Sequence, residues 1–222
     1  MLFRSPDAKK DFLFIKEENP ETVTTHLTKI FNEVLARHHI HKNDAMVLVP
    51  MNRGSVGTQS INHTLQGLLN PNAAGPTTAY MGTTFKIGDR VMQIRNNYDK
   101  HIFNGDIGTI TAIDPEERTL TVNFGELVVP YENGDLDELV LAYAITIHKS
   151  QGSEYGAAII PLFMQHFTLL QRNLLYTAIT RAKKLCILIG QTRAIAIAVK
   201  NNTALERITF LHHFLTSDLA CR

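Results

Sequence analysis

The stretch AYAITIHKSQGSEY, residues 142–155, joins an apolar run to a dense cluster of polar groups. The apolar run extends over residues 139–147, and the letters HKSQGSE follow it at once. A run of this length predicts a buried strand. In α/β sheets, ligands bind beyond the carboxyl ends of the strands, which is where such a loop would lie. The stretch therefore predicts an α/β fold with a ligand-binding loop at one strand end.

The side chains of this loop favour two kinds of ligand. His148 and Lys149 can donate to phosphate oxygens, and the Ser150 hydroxyl is a neutral donor that can fix a nucleic-acid backbone in register. Gly152 allows a sharp turn or a close approach of the main chain to a ligand. Glu154 only accepts hydrogen bonds, which suits a ribose hydroxyl better than a phosphate. An ordinary capped loop, with Ser150 as a helix N-cap, is the alternative interpretation.

The rest of the chain alternates strands with helices. Apolar runs predict buried strands over residues 46–49, 157–162 and 185–189, and helical spacing predicts helices over residues 22–37, 59–69, 169–181 and 195–201. This alternation implies a mostly parallel sheet flanked by helices.

Residues 85–131 follow a different rhythm, with short β-rich segments divided by Gly, Asn, Asp and Pro about every ten residues. Such spacing predicts a small antiparallel β-barrel inserted into the α/β frame. We therefore expect three parts: residues 1–83, the barrel over residues 84–138, and residues 139–222.

The near-neutral charge of the chain, +1, hides an uneven distribution. Residues 141–200 contain seven Lys or Arg and one acid, whereas residues 114–138 contain eight acids and one base. A basic groove for phosphates is therefore compatible with the composition. The acidity of the predicted barrel argues against that unit as the main phosphate-binding surface.

Several classes of protein are disfavoured by the composition. Only 19% of the residues are charged, and this low charge content argues against a disordered chain. No apolar run reaches the roughly 18 residues of a membrane span, and the start lacks a secretory signal. The two cysteines have no metal or disulfide spacing, and the histidines of residues 38–41 indicate a solvated helix end rather than a metal site. A cytoplasmic protein without a metal or membrane partner is expected.

Two further segments place arginines near strand ends. In NLLYTAITRAKK, residues 173–184, Arg181 ends an amphipathic helix and could reach the γ-phosphate of a nucleotide on a facing surface. A solvated cap that complements the helix dipole is the alternative. In VLVPMNRGSVGT, residues 47–58, Arg53 could meet a phosphate, or it could be an ordinary surface arginine.

These segments together resemble superfamily 1 helicases of the RecD/TraA branch, the exodeoxyribonuclease V alpha subunit-like proteins. AYAITIHKSQGSEY resembles motif V, and LLYTAITRAKK resembles motif VI with Arg181 in the place of the arginine finger. VLVPMNRGSVGTQSINHTLQGLLNP resembles the motif IV region. FKIGDRVMQIRNNYDKHIFNGDIGTI resembles the entry to the small barrel of that branch. The matches fall in family order over about residues 46–190.

The resemblance implies the second, RecA-like motor domain of an ATP-dependent helicase that moves 5′ to 3′ on single-stranded DNA. It implies a catalytic role for Arg181 and nucleotide contacts for Gly152, Glu154 and Arg53. The implied DNA contacts are Thr146, His148, Lys149, Ser150 and, at a turn of the barrel, Asn97 and Tyr98. Tyr98 could equally be a surface aromatic residue of the barrel.

One departure from the family limits what this chain can do alone. It contains no G-x-x-x-x-G-K-[ST] segment, and no glycine is followed by lysine. We therefore expect ATP and Mg²⁺ to be bound mainly by an N-terminal motor domain that is missing here, and the isolated chain to be inactive. Subunits of a nuclease complex are further candidate partners. The alternatives are a non-catalytic nucleic-acid-binding module and a subunit-docking module.

Overall fold

The computed structural model describes residues 11–71 and 75–202, and twelve strands lie within these ranges. In chain order they are β1 (Phe12–Lys16), β2 (Ala45–Val49), β3 (Thr77–Tyr80), β4 (Thr83–Lys86), β5 (Arg90–Gln93), β6 (Ile107–Asp114), β7 (Thr119–Asn123), β8 (Val128–Tyr131), β9 (Leu139–Leu141), β10 (Ala144–Thr146), β11 (Tyr155–Leu162) and β12 (Ala182–Gly190).

Four helices of the described ranges lie between these strands, and a fifth follows β12. They are α1 (Val23–Lys29), α2 (Leu35–Arg37), α3 (Thr58–Leu69), α4 (Arg172–Ile179) and α5 (Thr192–Lys200). A π-helical segment, Ile30–Val34, joins α1 to α2, so the helix predicted over residues 22–37 is continuous. Short 3₁₀ segments occupy Pro20–Thr22, Lys42–Asp44, Asn133–Glu138, His148–Ser150 and Met164–Leu169.

Five strands form a parallel sheet in the order β1-β12-β11-β2-β10. Its central strands β2 and β11 are buried along their whole length, which matches their uninterrupted apolar sequences. Helices α1 and α3 cover one face, and α4 and α5 cover the other. The predicted α/β class with a mostly parallel sheet is confirmed. The edge strand β1 was not predicted, because its five residues read as a short mixed run.

A second sheet, antiparallel, has the order β8-β7-β6-β5-β9. We call strands β5 to β9 the antiparallel unit. A two-stranded hairpin, β3-β4, precedes it. Alternation of buried and exposed residues along β7 and β8 shows that one side of the unit faces a core and the other faces solvent. The predicted inserted antiparallel unit is thus present, while the exact boundaries at residues 83 and 138 remain a prediction.

The apolar run of residues 139–147 does not form the single strand that was predicted. Its first part is β9, which pairs with β5 in the antiparallel unit, and its last part is β10, which pairs with β2 in the parallel sheet. The buried side chain of Asn62 from α3 makes this change of sheet possible. Its amide donates to the carbonyls of Leu141 and Ala144 at 2.9 Å each and accepts the Ala144 N–H at 2.7 Å.

A buried carboxylate reinforces the same junction. Asp89, fully buried before β5, accepts hydrogen bonds from the side chains of Asn70 at 2.8 Å and Tyr143 at 3.0 Å. Gln66 of α3 also donates to it. Helix α3 therefore fastens the antiparallel unit to the parallel sheet at the point where the chain passes between them. No helix in residues 11–71 and 75–202 is long and apolar enough to cross a membrane.

Replacement of Asn62 tests the role of this junction. Asn62→Ala leaves three buried backbone groups without their partner, and we expect it to lower the free energy of unfolding by about 3 kcal/mol. Urea denaturation measures the change. Asn32→Ala, an exposed asparagine on the π-helical segment, is the matched control and should change stability by less than about 0.5 kcal/mol. Equal stability of the two variants would show that the junction does not depend on Asn62.

Candidate functional site

The loop between β10 and β11 runs from the carboxyl-terminal ends of the parallel strands back to their amino-terminal ends. We call these two sides of the sheet the carboxyl edge and the amino edge, and this segment the crossing loop. Thr146 ends β10 beside Val49, at the carboxyl edge of the parallel sheet. Tyr155 begins β11 beside Ala182, at the amino edge. The two ends are about six strand positions apart, which corresponds to roughly 20 Å. The loop over residues 147–154 therefore connects two surfaces that are otherwise separated by the length of the sheet.

The carboxyl-edge half of this loop is a 3₁₀ turn, His148–Ser150. His148 and Lys149 are exposed on it, and partial burial of the Lys149 ammonium lowers its pKa from the ordinary value. Thr146 accepts the Lys149 N–H at 3.4 Å through its hydroxyl. Ser150 is fully buried and donates its hydroxyl to the Ile147 carbonyl at 2.7 Å. Ser150 therefore stabilises the turn from inside and does not face solvent as a donor.

The amino-edge half of the loop turns at Gly152. Its φ of +85° lies in the left-handed region, so the turn requires a glycine, and no other part of the described chain lies within 4 Å of a Cβ built there. Glu154, exposed beyond it, forms an ion pair with Lys183 at 3.3 Å. An exposed ion pair of this kind contributes about 0–1 kcal/mol, so the carboxylate remains available to another partner.

Arg181 lies beside this half of the loop, directly before β12. Its Nη1 donates to the Ser153 carbonyl at 2.9 Å, and its Nε donates to the Thr177 carbonyl at 3.1 Å. A third bond runs from Nη2 to the Thr180 hydroxyl at 3.2 Å. The helix predicted over residues 169–181 ends earlier, at Ile179, so Arg181 follows α4 instead of ending it. The Gly152 turn and the Arg181 guanidinium thus meet at the amino edge.

The hydrogen bonds of Arg181 leave part of its guanidinium available. The group has five N–H donors, and three of them have acceptors among the described residues. Two donors on a half-buried, rigidly held fork suit an anionic oxygen such as that of a phosphate. The arrangement fits a nucleotide phosphate brought to this edge by a facing surface.

Arg53 does not join this cluster. It lies in the loop that follows the carboxyl end of β2, where Ser55 contacts Gln165 beyond the end of β11. Arg181 precedes the amino end of β12, so the two arginines lie at opposite edges of the sheet. The expectation that Arg53 delivers a second phosphate contact beside Arg181 is not met by the topology, because a parallel sheet separates residues that precede strands from residues that follow them.

Asn97 and Tyr98 lie together at a turn of the antiparallel unit, yet their side chains differ in availability. Asn97 accepts the Lys100 N–H at 3.1 Å, donates to Glu138 at 3.4 Å and forms a backbone bridge with Ile102. Tyr98 is 70% exposed and contacts Phe103 edge to face, with ring centroids 6.0 Å apart. Asn97 therefore shapes the turn, and Tyr98 presents an aromatic surface to solvent.

Several groups important to the site were not identified from the sequence. The acceptors that hold Arg181 are the main-chain carbonyls of Ser153 and Thr177, and no residue identity signals a carbonyl contact. His166 was also missed. It is fully buried below the Arg53 loop and accepts the Phe163 N–H through Nδ1 at 3.2 Å.

Two regions of the chain match described protein families. Residues 61–124 match the "ATP-dependent RecD-like DNA helicase SH3 domain" and span α3 to β7. Residues 141–189 match the "UvrD-like helicase C-terminal domain" and include the crossing loop, α4 and Arg181. The second region defines the class of the chain, which carries a helicase C-terminal domain.

Relatives by sequence define the branch. The chain is 39% identical over 168 residues to the ATP-dependent RecD2 DNA helicase of Deinococcus radiodurans, covering 73% of this chain and 23% of that protein. It is 28% identical over 148 residues to the RecBCD enzyme subunit RecD of Mycolicibacterium smegmatis, covering 67% and 25%. The predicted resemblance is confirmed: this is the C-terminal domain of a RecD-like superfamily 1 helicase. The chain spans about a quarter of the length of these relatives.

The chain also aligns in part with solved structures of Pif1 helicases. The structure of Bacteroides Pif1 in complex with ADP-AlF3 and ssDNA aligns with a TM-score of 0.48 and 19% identity, covering 78% of this chain and 45% of that one. Bacteroides Pif1 bound to ssDNA aligns with a TM-score of 0.46 and 16% identity, covering 92% and 54%.

Buried His166 makes the stability of the carboxyl edge depend on pH. Burial lowers its pKa to about 4, partly offset by a backbone contact with Val56. In the unfolded chain His166 binds a proton below its ordinary pKa near 6.5, whereas in the folded chain it stays neutral down to about pH 4. Stability is therefore lost as pH falls through this window, by about 2 kcal/mol between pH 7 and 5.

The variant His166→Asn, which keeps an acceptor but does not titrate, isolates this contribution. Urea denaturation at pH 7 and pH 5 gives the loss of stability for each protein. We expect that loss to be about 2 kcal/mol smaller in the variant than in the parent chain. An identical loss in both proteins would exclude His166 as the group responsible.

Proposed function

We propose that this chain is the second motor domain of an ATP-dependent helicase that moves 5′ to 3′ on single-stranded DNA. In this proposal Arg181 is the arginine finger, and the crossing loop carries information between nucleotide and DNA. The observation that supports it most directly is the 2.9 Å hydrogen bond from Arg181 to the Ser153 carbonyl. This bond attaches the candidate finger to the loop that presents His148 and Lys149 at the other edge.

On the nucleotide side, the chain contributes the amino-edge groups. The two remaining donors of Arg181 are directed to the γ-phosphate, and Glu154 exchanges Lys183 for a ribose hydroxyl. Gly152 gives the loop the turn that brings Ser153 to the arginine. Bound ATP supplies the phosphoryl group, and its phosphates and Mg²⁺ are held mainly by a first motor domain. Within the described ranges, no three His, Cys, Asp or Glu side chains are grouped to hold a metal ion.

On the DNA side, the chain contributes the carboxyl-edge groups. His148 and Lys149 are exposed on one 3₁₀ turn and contact successive backbone phosphates. Thr146 orients the turn by accepting the Lys149 N–H, and Ser150 stabilises it from below. Arg53 follows the neighbouring strand β2 at the same edge, which makes it a candidate for the DNA phosphates instead of the nucleotide.

The coupling of the two sides follows from the loop itself. A movement of Arg181 towards a phosphate displaces the Ser153 carbonyl, and the displacement passes along residues 147–154 to the turn that bears Lys149. A single element that both ligands bias is what a coupling free energy between two sites requires.

Hydrolysis tests the role of Arg181 in a protein that contains both motor domains. Arg181→Ala should reduce DNA-stimulated ATP turnover by about 10³–10⁵-fold while nucleotide binding persists, because the finger stabilises charge that develops only during transfer. Arg193→Ala, an exposed arginine on α5, is the matched control and should keep its turnover. Appreciable turnover by the 222-residue chain alone would contradict the assignment of phosphates and Mg²⁺ to another domain.

Binding of single-stranded DNA shows whether the carboxyl edge of the parallel sheet, which carries Lys149, or the antiparallel unit contacts the DNA. Lys149→Ala should reduce the slope of log affinity against log salt by about 1, the effect of losing one phosphate contact. Lys29→Ala, which removes the same charge from the opposite face, should leave the slope unchanged. If Lys149→Ala has no effect while Tyr98→Ala abolishes binding, the antiparallel unit binds the DNA and the carboxyl edge does not.

A role within a nuclease complex is a second proposal, supported by relatives named as RecBCD enzyme subunits. Co-purification of nuclease subunits with the tagged protein from its own host would support it. Recovery of the protein without such subunits under mild conditions would contradict it.

A further inference from the structure

A small cleft of about 100 Å³ lies between the His148–Ser150 turn and the start of α4. Its apolar lining residues, which we call the floor because Ile147 and Leu174 are buried, are Ile147, Leu169 and Leu174. Its rim is polar and includes three side-chain amides, those of Gln151, Gln171 and Asn173. An apolar floor under a rim of neutral amides suits a flat ligand with apolar faces and polar edges.

The amides of the rim have unused hydrogen-bonding capacity. The side chains of Gln151 and Gln171 make no hydrogen bond to any residue of the described ranges, although both are accessible to solvent. Asn173 accepts the Leu174 N–H at 2.7 Å, which leaves its NH₂ group as a donor. A ligand can therefore find donors and acceptors here without displacing an existing contact.

The position of the cleft identifies the chemistry of its ligand. His148 lines it, and Lys149 is the next residue of the same turn. A strand whose phosphate meets Lys149 carries a base within reach of the cleft. A phosphate itself would gain little there, because no lysine or arginine of the described residues lines the cleft. A nucleobase, with flat apolar faces and hydrogen-bonding edges, matches both floor and rim.

We propose that this cleft binds one base of the single strand held at Lys149. The proposal rests on the proposed DNA-binding function of the same edge and extends it to a base contact. An amide that rotates by 180° presents either its donor or its acceptor to a given edge, so the cleft accepts all four bases with little preference.

The cleft is also linked to the nucleotide edge. Thr177 lines it, and the Thr177 carbonyl accepts the Nε of Arg181 at 3.1 Å. A base in the cleft would therefore contact Thr177 of α4, the residue whose carbonyl holds Arg181. Helix α4 and the crossing loop thus form two separate connections between the carboxyl edge, where we propose that DNA binds, and the amino edge, where we propose that the nucleotide binds.

The base contact is tested by measuring, with fluorescence anisotropy, the affinity of the full chain for two labelled DNA strands of equal length and charge. One is oligothymidine, and the other is an abasic strand of deoxyribose phosphates. The chain should bind oligothymidine on the order of tenfold more tightly, the effect of one well-seated base. The double variant Gln171→Ala, Asn173→Ala should lose most of this ratio while its affinity for the abasic strand stays unchanged.

Two controls separate the base contact from the phosphate contact. Lys149→Ala should weaken binding of both strands by the same factor and preserve their ratio. Asn32→Ala, on the opposite face, should change neither strand. If the double variant does not fold, the exposed Gln151→Ala makes the same test.

The outcomes distinguish the two proposals. A ratio near one in the parent chain, or a ratio unchanged in the variants, overturns the base contact and leaves the phosphate contact at Lys149 intact. Failure of the parent chain to bind either strand overturns both the DNA-binding function and the base contact.

Discussion

The hydrogen bond between the Arg181 guanidinium and the Ser153 carbonyl organises the functional surface of this domain. Ser153 belongs to the amino-edge half of a loop that starts at the carboxyl edge of the parallel sheet, so the bond attaches Arg181 to the loop that leads to the turn at the other edge. Two more acceptors fix the fork, and two donors remain for a ligand. An arginine held in this way loses little conformational freedom when it meets a phosphate.

The parallel sheet separates its carboxyl edge from its amino edge, and the elements on its α4 face connect the two. The crossing loop and α4 both run from the carboxyl edge to the amino edge, and Thr177 and Ser153 bring them together at Arg181. On the other face, α3 holds the antiparallel unit through Asn62 and Asp89. The Tyr98 turn is therefore part of a unit that is fastened to β10, the strand that leads into the crossing loop.

The sequence predicts those parts of this arrangement that depend on burial. Strands β2, β11 and β12 are apolar because they lie in the middle of a sheet with helices on both faces. The change of sheet within residues 139–147 could not be predicted, since both halves are apolar and only Asn62, about 80 positions away, separates them. The inward orientation of Ser150 was equally hidden, because a serine in a polar loop reads as a surface donor.

The candidate site was predictable in composition and less so in geometry. Arg181, Gly152 and Glu154 lie at the amino edge, and their nucleotide contacts remain a prediction. The resemblance implies a nucleotide contact for Arg53 as well, but Arg181 precedes its strand whereas Arg53 follows one, so the two lie at opposite edges. The carbonyls that fix Arg181 leave no trace in residue identity.

The most direct test of the central claim measures how nucleotide changes the grip on DNA in a protein with both motor domains. The affinity for single-stranded DNA is determined with and without a non-hydrolysable ATP analogue, for the parent protein and for Arg181→Lys. A lysine keeps the charge but cannot form the forked contacts to Ser153 and Thr180. We expect a nucleotide-dependent change of about 5–150-fold in the parent protein and its loss in the variant, with DNA still bound. The same nucleotide-dependent change in both proteins would contradict the central claim.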